Sequence, residues 1–141
     1  MTNPFDNAKD ALEFIFGGRA MVTLSSAETG KHFTYKVSRK GPDTPFFVGV
    51  LSGPDNRSDY QYIGFISHQT LELVAGRKGR PDTPSYKAFN WALRHLVERD
   101  QIPAALSIQH EGRCCKCARV LTHPDSLRTG IGPECAKRGD A

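Results

Sequence analysis

No apolar stretch in the sequence approaches the roughly 18 residues that a membrane-spanning helix needs. Its 38% hydrophobic and 24% charged residues are the proportions of a water-exposed globular domain. The start, Met1-Thr-Asn-Pro-Phe-Asp, carries no cation, and the apolar patch from Leu12 to Phe16 is short and broken by Glu13. No export signal is therefore expected, and the protein is expected to remain in the cytoplasm. Internal repeats, low-complexity tracts and long linkers are absent as well, which argues for one core with a small appendage docked on it. Three nucleophile and phosphate signatures are also missing: Gly-x-x-x-x-Gly-Lys, Gly-x-Ser-x-Gly and His-Glu-x-x-His. Finally, there is no cysteine before Cys114; all four, Cys114, Cys115, Cys117 and Cys135, fall within 22 residues. In a reducing compartment such a cluster reads as metal ligands, not disulfides.

What is present first is a change of period along the chain. Asp6 to Phe16 reads as a short amphipathic helix capped by Asp6 and ended by Gly17-Gly18. From Arg19 the apolar residues alternate, in Ala20-Val22-Leu24 and Phe33-Tyr35-Val37, as they do in paired antiparallel strands. Phe46–Leu51 and Tyr60–Ile66 follow as further strands, and Thr70–Ala75 as a fifth. Thr83 followed by Pro84 opens the longest helical signal, ending near Arg99, with Tyr86, Phe89, Leu93, Leu96 and Val97 on one face. Trp91 and His95 fall off that stripe, which suggests a second contact, with the cysteine-rich end as its candidate partner. Ala105–Ile108 reads as a last strand. The expected fold is α+β: an antiparallel sheet of about five strands packed by one long and one short helix, residues 1–109, with a zinc knuckle docked on it, residues 110–141.

Cys114 and Cys117 stand in a Cys-x-x-Cys pair, the spacing that lets two sulfurs converge on one ion. Cys135 returns behind Gly130-Ile-Gly132-Pro133 and is the natural third ligand. For the fourth, His110 is preferred, with Gly112 letting the chain bend back; His123 comes next. Cys115 comes last, because neighbouring residues rarely ligate the same ion. The set His110, Cys114, Cys117 and Cys135 would hold a structural Zn2+. A site rich in thiolates is a poor Lewis acid, and the deaminase arrangement of His-x-Glu with Pro-Cys-x-x-Cys is not matched. Although Glu111 and Glu134 flank the ligands, an enzyme is therefore not expected.

The formal net charge of +4, with an isoelectric point near 9.0, falls by one, to about +3, once three thiolates and a Zn2+ are counted. Such a balance permits nucleic-acid binding without demanding it. The candidate contacts are Arg77, Lys78 and Arg80, at the mouth of the long helix, and Arg113, Lys116 and Arg119 around the knuckle. Tyr60 and Tyr62 are candidates for stacking on bases.

The run Cys114-Cys-Lys-Cys117-Ala-Arg119-Val-Leu121-Thr122-His-Pro124-Asp-Ser126-Leu-Arg-Thr-Gly130-Ile-Gly132-Pro133-Glu-Cys135 resembles the C-terminal signature of a family of small proteins carried by bacteriophages and other mobile elements. That signature is roughly C-x2-C-G-R-x-L-T-x-P-x-S-x3-G-x-G-P-x-C. The likeness extends to Phe47-Val-Gly-Val-Leu-Ser-Gly-Pro-Asp-Asn and to the Pro84-Ser-x-Lys-Ala-Phe helix opening. It implies Cys114, Cys117 and Cys135 as ligands and a host bacterial cell as the setting. The chain departs from it at Ala118, where glycine is usual, and at the extra thiol of Cys115. Two functions follow as expectations: a nucleic-acid-binding module first, and a protein-binding inhibitor of a host defence or replication complex second.

Overall fold

The computed structural model describes residues 3–41, 43–54, 59–122 and 124–137. Among them the chain runs β1 (Asn3–Pro4), α1 (Ala8–Ile15), β2 (Arg19–Ser26), β3 (His32–Ser38), β4 (Phe46–Leu51), β5 (Tyr60–Ile66), β6 (Leu73–Val74), α2 (Pro84–Arg99), β7 (Leu106–His110), α3 (Pro124–Thr129) and α4 (Pro133–Lys137). The strands form one antiparallel sheet in the order β1-β7-β2-β3-β4-β5-β6. The α+β class and the meander from β2 to β6 are as the alternation predicted. Five strands are of substantial length, and the two-residue β1 and β6 finish the edges.

Local chemistry explains most boundaries. Asn7, not Asp6, caps α1, its side chain accepting from the Asp10 amide at 2.9 Å. Thr83 caps α2 with Pro84 in the first turn, and Asp100 closes it in the left-handed conformation at φ 52°. The expected strand over Thr70–Ala75 shrinks to Leu73–Val74. A turn consumes the rest: Leu71 takes φ 56° and donates its N–H to Ser67, whose own N–H reaches the Glu72 carbonyl.

The sheet has one covered and one open face. Ala20, Val22 and Leu24 of β2, Tyr35 and Val37 of β3, and Val48 of β4 point under the helices and meet Phe14 of α1 and Phe89, Leu93 and Leu96 of α2 in one core. Tyr35 is fully buried, and its hydroxyl donates to the Ser85 carbonyl at 2.7 Å, so the only polar atom of that ring is satisfied at the start of α2. Trp91 and His95 do not reach the cysteine-rich end. Trp91 is 46% exposed, the rings stand 4.6 Å apart, and the histidine Nδ1 lies 3.0 Å from the Trp91 carbonyl, so the pair satisfies itself on the outer face of α2.

The open face is legible row by row from the register. One row reads Arg19, Ser38, Phe47, Phe65 across β2 to β5, and the next reads Met21, Lys36, Gly49, Tyr62. No described helix covers these rows.

Candidate metal centre and basic surface

The chain leaves β7 at His110, turns at Gly112 (φ 80°) and makes a short hairpin, Arg113 pairing with Val120 around the Cys114–Ala118 turn. The turn is closed by Ala118 N–H to the Cys114 carbonyl and by Cys114 N–H to the Arg119 carbonyl, both at 2.9 Å. The segment then enters α3 and returns through Gly132 into α4, which carries Cys135.

The Sγ atoms of Cys114, Cys117 and Cys135 all lie within 4.8 Å of one another. Bonds of about 2.3 Å from one tetrahedral zinc place sulfurs a little under about 4 Å apart, so the three fit a common ion. Cys114 and Cys135 are buried, and Cys117 is the outermost of the three. The N–H groups of Gly132 and Lys116 approach Cys114 Sγ at 3.2 and 3.4 Å. Burial alone would raise the Cys114 pKa, but donation from Gly132, Cys117 and Lys116 outweighs it and brings the thiol down to about 7. Cys135 goes the other way, to about 11, through burial and the neighbouring sulfurs of Cys114 and Cys117. One thiolate is thus welcome there and the next is opposed until a cation offsets the repulsion. A cation held among the three sulfurs would offset that repulsion, so the cluster is able to take a metal ion.

The other two candidates within the described residues are elsewhere. His110 is buried between Phe5 and Phe14, with both ring centroids 5.4 Å away. Its Nε2 meets the Leu127 carbonyl, and its Nδ1 accepts the Gly112 N–H at 3.0 Å. The bend at Gly112 exists as expected, but it turns the amide back onto the ring and occupies the nitrogen that ligation would need. His110 is accordingly a bolt between the sheet and α3, and not a member of the sulfur cluster. Cys115 points the opposite way from its neighbour, into the core against Gly17, where an added Cβ would come within 2.3 Å of its sulfur. Burial and the adjacent Cys114 sulfur push its thiol up to about 12, which leaves it an inert apolar side chain. His123 lies outside the described residues.

Among the described residues, the segment after β7 is docked on α1 and β2. Arg19 N–H donates to the Cys115 carbonyl at 2.7 Å, Cys115 N–H to the Gly130 carbonyl at 2.9 Å, and Arg128 pairs with Asp10 at 3.5 Å. Gly130, at φ 78°, lies so close to Phe14 that a Cβ would come within 2.2 Å of the ring.

Beside this junction a concavity of about 530 Å³ opens where β2 begins, β3 ends and β4 begins. Arg19, Lys36, Arg39, Lys40 and Arg113 line it, with no carboxylate among the described lining residues. Arg113 is held there by donation from its guanidinium to the Ala118 carbonyl at 3.0 Å, inside the metal-site turn. Of the six cations predicted from sequence, Arg113 is the one in this basin. Arg119 is exposed beside Cys117 and Cys135, and Lys116 lies in the turn itself. Arg77, Lys78 and Arg80 are exposed at the far edge of the sheet, where the Arg80 guanidinium lies 2.9 and 3.2 Å from the Gln61 amide. Arg19, Lys36, Arg39 and Lys40 escaped sequence reading because they come from separate segments, and only the β2–β3–β4 register gathers them.

The model of a family of unknown function, DUF6011, matches residues 104–138, that is, β7 and the metal-site segment. The match does not reach the segments around Phe47 and Pro84. No curated protein and no solved structure matches the chain. No described helix is long and apolar enough to cross a membrane.

Proposed function

We propose that the protein is a zinc-stapled, non-enzymatic binding module that takes nucleic acid on the basic basin beside the staple. The observation that carries this reading is the lining itself: five cations from three separate parts of the chain and no described carboxylate, in a protein whose formal net charge is only +4. Phosphate is the ligand chemistry that such a concentration of one sign attracts. Three thiolates favour zinc among borderline and soft ions, and they suit a structural role better than Lewis-acid chemistry. Beside the cluster, the Glu111 carboxylate accepts the Thr23 hydroxyl at 2.8 Å and so ties the start of the segment to the sheet. The phage or mobile-element setting implied by the C-terminal signature is compatible with a small module of this kind.

A second reading, docking to a host protein complex, has one observation of its own: Trp91 stands half exposed on a groove along α2 that Tyr86, Arg94 and His95 also line. A titration of labelled oligonucleotide against the protein, repeated at several salt concentrations, separates the two. Phosphate binding in the basin gives affinity that falls steeply between about 50 and 200 mM salt and that Arg39→Glu with Lys40→Glu removes. An absence of binding at about 50 mM salt would sink the nucleic-acid reading.

A further inference from the structure

Resting on that reading of the basin, we infer that the ligand is a single strand. An unpaired base stacks on Phe47 and Tyr62, and the neighbouring phosphates lie among Arg19, Arg39, Lys40 and Arg113. Phe47 is the link between the two halves of the site. It lines the basin, and it is also 37% exposed on the open face of the sheet, where no described helix covers it. Its ring stands 6.1 Å from that of Tyr62 on the next strand, tilted by 54°.

The register sets a third ring beside them. Gly49 lies between Lys36 on β3 and Tyr62 on β5 and has no side chain of its own; a Cβ there would come within 3.2 Å of the Tyr60 Cβ, so Tyr60 lies over that position. Lys36 lies toward the basin, its ammonium 5.9 Å from the Tyr60 ring centre. The site thus has neighbouring aromatic rings and a cationic rim, all on a surface that no described helix shields.

That geometry discriminates between forms of nucleic acid. In a duplex both faces of every internal base are already stacked, and sequence or shape is read by an element that enters a groove about 6 to 12 Å wide. The open face here presents rings lying among a sheet's side chains, with no described helix standing out from it. Rings on a sheet beside a cationic groove can engage a base only after it is unpaired, and stacking then adds to phosphate attraction with little regard for sequence.

The test compares a fluorescently labelled oligothymidine of about ten nucleotides, within the span one such sheet covers, with a duplex of equal length, by anisotropy at about 50 mM salt. Tighter binding of the single strand is expected. Phe47→Ala and Tyr62→Ala should each weaken it roughly five- to 150-fold and leave the duplex largely unaffected. Phe47→Tyr keeps a ring at the same place and should retain the affinity, which separates stacking from any loss of folding. If the alanine variants bind oligothymidine as the parent does while Arg39→Glu with Lys40→Glu abolishes binding, the stacking site is overturned and the basin reading stands. Failure of both probes to bind overturns the two together.

Discussion

Ala118 sits at φ 64° immediately after Cys117, in the left-handed region where a Cβ crowds the backbone. The hairpin geometry favours glycine at this place. Replacing Ala118 by Gly should relieve about 1–2 kcal/mol of strain against about 0.5–1 kcal/mol of added chain entropy. The expected net gain is roughly 0.5–1 kcal/mol, a rise in Tm of about 2 °C in thermal unfolding of the metal-loaded protein. His110 gives a second prediction at this scale. Burial between Phe5 and Phe14 lowers its pKa, against the Leu127 carbonyl and the Glu111 charge, which raise it. Above its ordinary value of 6.5 the ring is neutral in both folded and unfolded chains, and stability is intact. As the pH falls below that value the unfolded chain takes up the proton first, and stability declines until the folded-state pKa is reached. In His110→Gln, measured with the same metal loading, the decline between pH 7 and pH 5 should be smaller than in the parent; an equal decline would place the sensitive group elsewhere.

Among the elements, α1 does more than cover the sheet. Its Phe14 packs in the core, touches the His110 ring and leaves room at its edge only for a residue without a side chain, which Gly130 is. Gly130→Ala combines a forced positive φ with a side-chain carbon driven into a buried ring. It should cost roughly 2–4 kcal/mol, and in hydrogen exchange the loss of protection should centre on residues 111–132 rather than on the β3–β4 ladder. A uniform loss across both would show that the sheet and the metal-site segment unfold as one unit. The helices α1 and α2, the meander and the Cys-x-x-Cys turn were legible in the residues, because period, caps and ligand spacing are local, whereas α3 and α4 are too short to show a period. The joining of these parts was not. Whether His110 faced sulfur or the space between two phenylalanines depended on which way the Gly112 bend turned, and both directions are open to glycine. Cys115 likewise looked like a spare ligand until the core showed that its side chain is packing against Gly17.

At the scale of the whole molecule, a modest formal charge of +4 conceals an uneven distribution. The cations of the basin come from the start of β2, the end of β3 and the hairpin after β7, and the last of these is in place only while the Cys114–Ala118 turn keeps its shape. Zinc binding and nucleic-acid binding should therefore be coupled through Arg113. Removing the metal with a chelator releases the three sulfurs, whose ionised forms repel one another, and loosens the turn whose Ala118 carbonyl anchors the Arg113 guanidinium. The sheet has its own core and does not depend on that segment for its ladders, so far-UV circular dichroism should change little. Affinity for oligonucleotide should nevertheless drop. Since one phosphate contact is lost, the slope of log affinity against log salt should become shallower by about 0.7 for a single strand. Arg113→Ala in the metal-loaded protein should reproduce that shallower slope, and chelation should then add little to it. An affinity and slope that survive chelation unchanged would mean that the metal holds the end of the chain without shaping the surface beside it.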